Sequence, residues 1–501
     1  MPRCGDVECS KTLGAAAAAG WAYLAEGGAH LVLERRDVAD DDPNVAGRVL
    51  RLRKTKTGTS WPGEDAARDG ARGGALEPSS NACTDAFLWA SHPGFQDTDS
   101  ADDLSWAFAH HVMRPLLGGR FVDPGAFAPV DREFLRAVAD AVEPARPRAR
   151  RARSGVDLCA ARAALVPDAR RVDRVRVDAD RRDGGASAAE DWFCVEVKPK
   201  CGFALVGDPE GASRFAMHQA LRVRRGEVRR ASAYDPRDLF AGCDARDADR
   251  ETRDEARLSA RARRRAALRA LAEAPRNNLR VHRRGRRWPR NGLPAGPSQS
   301  DDASSSDDAR RDASTASTRA RGMDESLDAF VAETDGDAAA RVGDAARLLD
   351  LVEDALAVSG VLAPLLRAQR RDTIGVEAAA RLWRSLSSYA TRPSPSALDA
   401  AVAEAQRETL RDFVIAAVAK DCSVLVAFRG ARGGDVDDGG DGTFAVASAA
   451  ADGGPTLQYR CRVSVVDVDL KSIANMPKWL ETHREIARNW ARRSSAANDA
   501  C

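Results

Sequence analysis

The chain contains little lysine. Only 8 of its 77 basic residues are lysine, in a composition rich in arginine, alanine, aspartate and glycine. In such a chain we expect lysine to persist mainly where a guanidinium cannot replace its compact, mobile ammonium group. Survival by chance is the alternative. Half of the lysines, Lys198, Lys200, Lys420 and Lys471, lie in or beside the motifs described below.

Other absences exclude whole classes of protein. The formal net charge is only +2, so we expect no bulk affinity for nucleic acid, and any anion site must be local. The ten cysteines include no Cys-x-x-Cys pair, which favours a reduced intracellular protein over a disulfide framework or a zinc module. No apolar run reaches membrane-spanning length, and the alanines at 15–19 are too weak for a secretory signal. These features predict a soluble protein of the cytoplasm, the nucleus or both, without membrane contact. We also expect a monomer.

Composition divides the chain into folded and unfolded parts. Residues 1–20, the Ser/Asp/Arg-rich residues 284–322 and the Gly/Asp-rich residues 430–454 are predicted to be disordered or to form loops. Apolar periodicity predicts helices elsewhere, over residues 104–117 (ended by Pro115), 132–142, 213–222, 253–274, 345–369, 376–386, 397–418 and 477–492. Interspersed strand patterns give an α+β fold class.

One stretch, residues 194–203, has the pattern of a polyanion site. Read as a strand, it turns Val195 and Val197 to one face and Glu196, Lys198 and Lys200 to the other. Pro199 cannot pair as part of an ordinary central strand, so we expect the polar end at a sheet edge or lip.

The region around residues 21–54 predicts an antiparallel hairpin. Residues 21–33 read as a strand, a Gly-containing turn and a second strand, and residues 48–54 form a third, basic strand. Such a hairpin can cover nucleotide phosphates. An ordinary hairpin with an exposed basic strand is the alternative, because short Gly motifs are weak signals.

Asp421 stands between a long predicted helix and an apolar strand, where rigid elements would hold its carboxylate at a sheet edge. Capping of nearby amides is the alternative role.

Further along, strand parity over residues 463–471 places Asp467, Asp469 and Lys471 on one face. Two carboxylates held between β-branched residues need a compensating cation, and Mg²⁺ requires only one or two carboxylates plus phosphate oxygens. The alternative is an exposed edge strand.

These parts together predict phosphoryl transfer. They comprise a Gly hairpin, lysines on a strand, an acid to orient a hydroxyl and an aspartate pair for Mg²⁺. The chain has no Gly-x-x-x-x-Gly-Lys-Ser/Thr loop, and it has neither His-Arg-Asp nor Asp-Phe-Gly. It is therefore neither a P-loop enzyme nor an ordinary protein kinase.

Six stretches, in this order, carry a resemblance to one enzyme family. They are Glu196-Val-Lys-Pro-Lys-Cys-Gly-Phe203, Arg214-Phe-Ala-Met-His-Gln219, Tyr234-Asp-Pro-Arg-Asp-Leu-Phe240, Asn277-Asn-Leu-Arg280, Lys420-Asp-Cys-Ser423 and Asp467-Val-Asp-Leu-Lys471. The set resembles the inositol-pentakisphosphate 2-kinases, above all the plant and algal branch, whose signature is Glu-x-Lys-Pro-Lys.

The resemblance implies a fold and an activity. The fold would be two-lobed and distantly protein-kinase-like, with an N-lobe over residues 21–170 and a C-lobe over residues 171–501 that carries an inositide-binding insertion. The reaction would be the Mg²⁺-dependent transfer of the ATP γ-phosphate to the 2-hydroxyl of inositol 1,3,4,5,6-pentakisphosphate, giving inositol hexakisphosphate (phytate).

The resemblance also implies roles for individual residues. Asp421 would orient and deprotonate the hydroxyl beside Lys200, and Asp467, helped by Asp469, would bind Mg²⁺. The nucleotide-binding set would be Ala25, Glu26, Gly27, Gly28, Arg51, Pro167, Asp168, Ala169, Glu196, Lys198, Arg280 and Asp467. The substrate-binding set would be Arg150, Lys200, Arg222, Asn277, Asp421, Lys471, Asn475 and Trp479.

The chain also departs from the family pattern. Family residues are replaced at Ala25, His30, Ala169, Arg222, Asn475 and Trp479. Arg381 stands where plant-type members carry a zinc-binding His, so we expect no zinc.

Two other functions compete with this one. A non-catalytic inositide-binding pseudokinase is compatible with Ala25 and Ala169. A Mg²⁺-dependent nuclease would need only Asp157 and the Glu196-Val-Lys198 stretch, but it would leave Asp421 and Asp467 without a role.

Overall fold

The computed structural model describes most of the chain. The described residues are 12–36, 45, 47–56, 84–96, 98, 100–172, 192–205, 207–209, 211–243, 250–283, 286–288, 327, 345–390, 396–430, 442–448 and 456–498. Helices and two antiparallel sheets make up this part, which confirms the α+β class.

The first sheet has the strand order β1-β2-β3-β6-β4, with β5 paired to β3. Its strands are β1 (Trp21–Glu26), β2 (His30–Arg35), β3 (Arg48–Lys56), β4 (Ala126–Pro129), β5 (Ser154–Val156) and β6 (Arg162–Pro167). The predicted hairpin is confirmed as β1, β2 and β3, which pair antiparallel in sequence order. Alternation along β2 turns Leu31 and Leu33, both fully buried, toward the core of this sheet.

Part of the predicted disordered N-terminus packs on this sheet. Leu13 donates its amide to the Pro129 carbonyl at 2.9 Å, and Ala15–Gly20 forms a 3-10 helix. Leu13 and Ala18 are buried in the core, so the prediction of disorder is wrong for residues 12–20. Residues 1–11 lie outside the described part.

The second sheet has the order β11-β12-β10-β7-β8-β9. Its strands are β7 (Trp192–Val197), β8 (Leu279–Arg283), β9 (Arg286–Trp288), β10 (Ser423–Gly430), β11 (Thr443–Ser448) and β12 (Leu457–Val466). Strand β7 is central, because it pairs with β10 on one side and β8 on the other. Its ladder ends at Val197, two residues before Pro199, so the polar end leaves the sheet instead of lying at an edge strand.

Helices cover the second sheet and cap the first. They are α1 (Asp85–Trp89), α2 (Ala101–Ala107), α3 (Arg114–Leu117), α4 (Arg132–Val142), α5 (Arg148–Arg151), α6 (Arg214–Arg224), α7 (Pro236–Leu239), α8 (Arg250–Glu273), α9 (Ala345–Ser359), α10 (Leu362–Gln369), α11 (Gly375–Ala390), α12 (Ala397–Ala419) and α13 (Met476–Asn498). Helix α12 begins at a capping box in which Ser396 and Asp399 satisfy each other's backbone amides. The larger core includes Leu88, Trp89 and Phe108, so the core of the second sheet draws on residues from both sides of position 170.

Three sequence predictions fail locally. Pro115 does not end a helix: it lies in the first turn of α3, which follows a π-helix at Phe108–Met113. Strand β9 lies inside residues 284–322, and strand β11 lies inside residues 430–454, so disorder is wrong for both strands. Their polar composition hides single buried anchors such as Trp288, which is 4% exposed. The rest of both segments, apart from Gly430 and Gly442, lies outside the described residues.

Candidate active site

Asp421 is clamped between two lysines. It follows the end of α12 and precedes β10, as predicted. Its Oδ1 accepts from Lys200 Nζ at 2.8 Å and its Oδ2 accepts from Lys471 Nζ at 2.7 Å. Burial would raise the pKa of this carboxyl, but the two ammonium groups outweigh burial and hold it well below its usual range. Half of the side chain remains exposed, so a ligand can reach the carboxylate.

Lys200 is held rigidly although it lies beyond the strand. Its φ of 62° is in the left-handed region, which disfavours a lysine. The buried Tyr234 hydroxyl donates to the Pro199 carbonyl at 2.7 Å. Gln369, fully buried at the end of α10, donates to the carbonyls of Lys200 at 2.8 Å and Ala419 at 3.1 Å. The turn bearing Lys200 and the helix end preceding Asp421 are therefore tied to one side chain.

A second group of charges lies at the ends of β7, β8, β10 and β12. Arg280 Nη1 is 2.9 Å from each Glu196 oxygen, and Lys198 Nζ is 3.0 Å from Asp467 Oδ2. The fully buried Ser423 hydroxyl joins the two acids, at 3.0 Å from Glu196 Oε1 and 3.1 Å from Asp467 Oδ2. Arg280 and Lys198 lower the pKa of Glu196 against the opposing effect of burial.

The predicted strand face of Asp467 and Asp469 is wrong. Strand β12 ends at Val466, and Asp467 has a φ of 60°, so strand parity does not apply to the acids. The carboxylate of Asp469 is bound instead by both terminal nitrogens of Arg51 from β3, and His30 Nδ1 lies 3.1 Å from Arg51 Nη2. Burial alone would raise the pKa of Asp469, but the Arg51 guanidinium outweighs burial, so the pKa lies below its usual value.

The two aspartates differ in their fitness for Mg²⁺. Asp467 is 55% exposed and uses one oxygen, Oδ2, for Lys198 and Ser423, which leaves Oδ1 available. Both oxygens of Asp469 are engaged by Arg51. Within the described ranges, no group of three or more His, Cys, Asp or Glu side chains could hold a metal ion by itself. Of these two aspartates, Asp467 is the one that fits a Mg²⁺ whose other ligands are phosphate oxygens and water.

The predicted nucleotide loop, Ala25 to Gly28, joins β1 and β2. Its Gly27 and Gly28 are exposed, and a Cβ added to either would meet no atom within 4 Å. The Glu26 side chain is buried between Lys54 at 2.9 Å and Arg146 at 3.0 Å. Glu26 therefore anchors the loop, and the open backbone of the glycines is the part that can approach a phosphate.

The predicted hinge follows β6, whose last residue is Pro167. The Asp168 amide donates to the Gly47 carbonyl at 2.9 Å, and its carboxylate accepts from Arg170 at 2.7 Å. The Asp168 carboxylate is thus already paired. Ala169 packs against a small apolar cluster separate from the main core, made of Val172, Cys194, Leu425 and Ala427.

The remaining predicted substrate residues come from several elements. Lys200 and Lys471 meet at Asp421, whereas Arg222 pairs with Glu227 at 3.0 Å. The others lie on different elements, with Arg150 in α5, Asn277 before β8, Asn475 in a 3-10 helix and Trp479 in α13. The Asn475 amide donates to the Ser472 carbonyl at 3.2 Å, and the Trp479 ring lies 5.9 Å from that of Phe413. The Arg150 side chain forms no hydrogen bond or ion pair within the described ranges, so it is available to a ligand.

Sequence reasoning missed two residues of this site. Ser423 stood in the Lys-Asp-Cys-Ser motif, and its position at the first residue of a buried strand could have indicated a polar role. Gln369 gave no local signal, because its partners lie 169 and 50 residues away.

The nuclease combination is divided between the two sheets. Asp157 follows β5 and lies 4.0 Å from Arg53 of β3, whereas Glu196 and Lys198 belong to β7 and its extension.

Comparison with known proteins decides the family. A family model described as inositol-pentakisphosphate 2-kinase matches residues 23–485. The chain belongs to this family. Inositol-pentakisphosphate 2-kinase from Arabidopsis thaliana is 27% identical over 96% of both chains. Inositol-pentakisphosphate 2-kinase IPK1 from Oryza sativa subsp. indica is 24% identical over 96% of this chain and 95% of the relative. Inositol-pentakisphosphate 2-kinase from Danio rerio is 30% identical over 36% of this chain and 32% of its own.

As a member of the inositol-pentakisphosphate 2-kinase family, the chain is a kinase and thus a transferase. The predicted resemblance is confirmed over nearly its whole length. In the described part of the chain, no helix combines the length and the apolar character needed to cross a membrane.

Proposed function

We propose that this kinase transfers the γ-phosphate of ATP to the 2-hydroxyl of inositol 1,3,4,5,6-pentakisphosphate. The observation that carries the proposal is the accessible Asp421 carboxylate held between Lys200 and Lys471. A carboxylate between two cations can accept a hydroxyl proton while the cations hold the phosphates on either side of that hydroxyl.

Asp421 begins the reaction as an anion, because the two lysines keep its pKa low. When an inositol phosphate binds, its phosphates compete with Asp421 for both ammonium groups, since each phosphate carries about −1.5 to −2 charges. The pKa of Asp421 then rises, and the carboxylate becomes a better base. The substrate therefore activates the group that deprotonates it.

The transfer balances simply. The inositol oxygen forms a bond to the γ-phosphorus as the bond from that phosphorus to the β,γ-bridging oxygen breaks, and the hydroxyl proton passes to Asp421. ADP leaves with the electron pair of the broken bond. Asp467 would hold Mg²⁺, whose charge, when bound, neutralises the nucleotide phosphates. Lys198 and Arg280 bring further positive charge to the same side.

The nucleotide fits between the two sheets in this proposal, in a two-lobed, kinase-like arrangement. The open glycines after β1 would lie over the phosphates, and Arg51 of β3 would contact them. The backbone at Pro167–Ala169 would face the adenine. On the other side, Arg150, Arg222 and Asn277 would complete the inositide site, which needs many cations because its ligand carries five phosphates.

A product assay tests the proposal. Purified protein is incubated with Mg-ATP and inositol pentakisphosphate, and inositol hexakisphosphate and ADP are measured in equal amounts. Asp421→Asn should lower turnover by about 100-fold to 10,000-fold while both ligands still bind. Asp412→Asn is the matched control, because Asp412 pairs at the surface with Arg371 and with no other described residue.

Three results would contradict it. Intact inositide binding without any product would identify a pseudokinase. Near-normal turnover of Asp421→Asn would show that Asp421 does not accept the hydroxyl proton. Mg²⁺-dependent cutting of DNA would favour the nuclease.

A further inference from the structure

Strand β9 places an arginine on the nucleotide side of the second sheet. His282 of β8 pairs with Arg287 of β9, and Arg280 of β8 pairs with Glu196 of β7. Residues directly opposite each other in an antiparallel ladder share a face, and so do residues two apart along one strand. Glu196, Arg280, His282 and Arg287 therefore share one face of the sheet.

This face holds polar nitrogens that are shielded from solvent and have no hydrogen-bond partner among the described residues. They are Arg280 Nε, His282 Nδ1 and Arg287 Nε. Arg280 still reaches Glu196 through Nη1, but the Arg287 side chain forms no hydrogen bond or ion pair with any residue in the described ranges. Buried polar atoms in folded proteins normally have partners. Three such atoms on one face indicate a ligand. The two arginine Nε–H groups need acceptors, whereas His282 Nδ1 donates or accepts according to its tautomer.

The charge on this face points to an anion. Burial and the neighbouring Arg280 lower the pKa of Arg287, which means that its positive charge is poorly compensated. The neighbouring acid on this face, Glu196, is already engaged by Arg280 and Ser423. Burial and nearby arginines also hold the pKa of His282 at about 4, so its ring is neutral near pH 7. Arg287 thus provides poorly compensated positive charge.

We propose that Arg287 is a phosphate-contacting residue of the nucleotide site, acting beside Arg280. This inference rests on the proposed use of ATP. Both substrates carry phosphate, and register decides between them. Arg287 lies opposite His282, and His282 lies opposite Cys194 of β7. Cys194 precedes Glu196 by two residues, so it is farther from Lys200 along β7. Cys194 belongs to the apolar cluster beneath Ala169, in the predicted hinge. Arg287 therefore lies farther from the inositide lysine than Arg280 does, which favours the nucleotide phosphates over those of the inositide.

Calorimetric titration of the full chain tests this assignment without turnover. ATP, adenosine and inositol pentakisphosphate are titrated separately, without Mg²⁺, into the wild type, Arg287→Ala, Arg287→Lys and the exposed-helix control Arg224→Ala. We expect Arg287→Ala to weaken ATP binding by about tenfold to 100-fold, as for loss of a charge-assisted hydrogen bond. Adenosine and inositol pentakisphosphate should bind within about twofold of the wild type, and Arg287→Lys should recover part of the ATP affinity.

Thermal unfolding of the ligand-free protein separates binding from structure. Because the Arg287 side chain has a like charge beside it and no partner in the part of the chain that the structure describes, we expect the Tm of Arg287→Ala to equal or exceed that of the wild type. Unchanged ATP affinity would overturn the proposal. So would equal weakening of adenosine, weakening of inositol pentakisphosphate alone, or a lower Tm with all ligands affected. If the wild type binds ATP but makes no product, the proposed kinase reaction is wrong. The role of Arg287 is then still decided by the ATP affinities of the variants.

Discussion

Arg51 and Asp469, 418 residues apart, form a two-pronged ion pair that joins the first sheet to the segment after β12. Arg51 Nη1 lies 3.1 Å from Asp469 Oδ1, and Arg51 Nη2 binds Oδ2. The pair occupies the aspartate that the sequence assigned to Mg²⁺ together with Asp467. Under the proposed function, Arg51 would contact nucleotide phosphate from this paired position.

The first prediction concerns the metal. Asp467→Asn should raise the Mg²⁺ concentration needed for half-maximal activity by about tenfold to 100-fold, because Asp467 offers the free carboxylate oxygen. Asp469→Asn should change it by less than about threefold, because Arg51 already takes that carboxylate. Initial rates in Mg²⁺ titrations at saturating ATP measure both. Equal increases in the required Mg²⁺ concentration for the two variants would contradict this prediction and support Mg²⁺ binding by both aspartates.

The second prediction concerns pH. Lys200→Met leaves one ammonium beside Asp421, so the pKa of Asp421 should rise and the acidic limb of kcat/KM should move to higher pH. Lys200→Arg keeps the charge and should leave the limb near its original position. Rates are normalised within each variant, because both changes also weaken substrate binding. An acidic limb that does not move in Lys200→Met would contradict the role of Asp421.

The same lowered pKa fixes the sign of the stability effect. A carboxyl whose folded-state pKa lies below its unfolded value stabilises the protein above the unfolded pKa of about 3.9. This stabilisation is lost as pH falls from there toward the folded value. Urea unfolding of the wild type and Asp421→Asn should therefore converge as pH drops below the usual aspartate range.

The third prediction concerns Ser423. Its hydroxyl has one proton and two carboxylates within reach, so it can donate to only one of them at a time. Ser423→Ala should lower kcat/KM for ATP by about tenfold, because Glu196 and Asp467 lose a donor in a buried site. Ser464→Ala, a buried serine of β12 without a contact to either acid, is the control. Equal activity of Ser423→Ala and Ser464→Ala would rule out the bridging role.

The fourth prediction concerns the nucleotide loop. Glu26→Gln should lower the free energy of unfolding by about 3 kcal/mol, because it leaves buried Lys54 without a charged partner while Arg146 keeps Glu143. Glu377→Gln removes an exposed surface pair with Arg484 and should change the free energy of unfolding far less, because solvent screens that pair. Urea titration gives both values. Similar losses in the two variants would mean that Glu26 is not a buried anchor.

Local patterns predicted much of the scaffold. Apolar spacing identified α4 and α12, and the Gly turn between alternating strands identified the β1–β2 hairpin. The position of Asp421 followed from the junction of α12 with β10. These features depend on neighbours in sequence, which a period can express.

Tertiary contacts account for what the sequence did not predict. Strand β9 is too short and too rich in arginine to stand out, and it becomes a strand because β8 offers an edge and Trp288 finds a core. Parity failed at Asp467 because the backbone turns to positive φ beyond Val466. No local pattern could indicate that Arg51 would take Asp469.

The two hydrogen bonds that Gln369 donates have a consequence for selectivity. One amide fixes the spacing between a lysine and a carboxylate that come from distant parts of the chain. Under the proposed reaction, that fixed spacing selects the distance between a bound phosphate and the reacting hydroxyl on the inositol ring. Which hydroxyl reacts would then depend on which ring position carries a phosphate at the correct distance, so an isomer with one displaced phosphate would bind and remain unmodified.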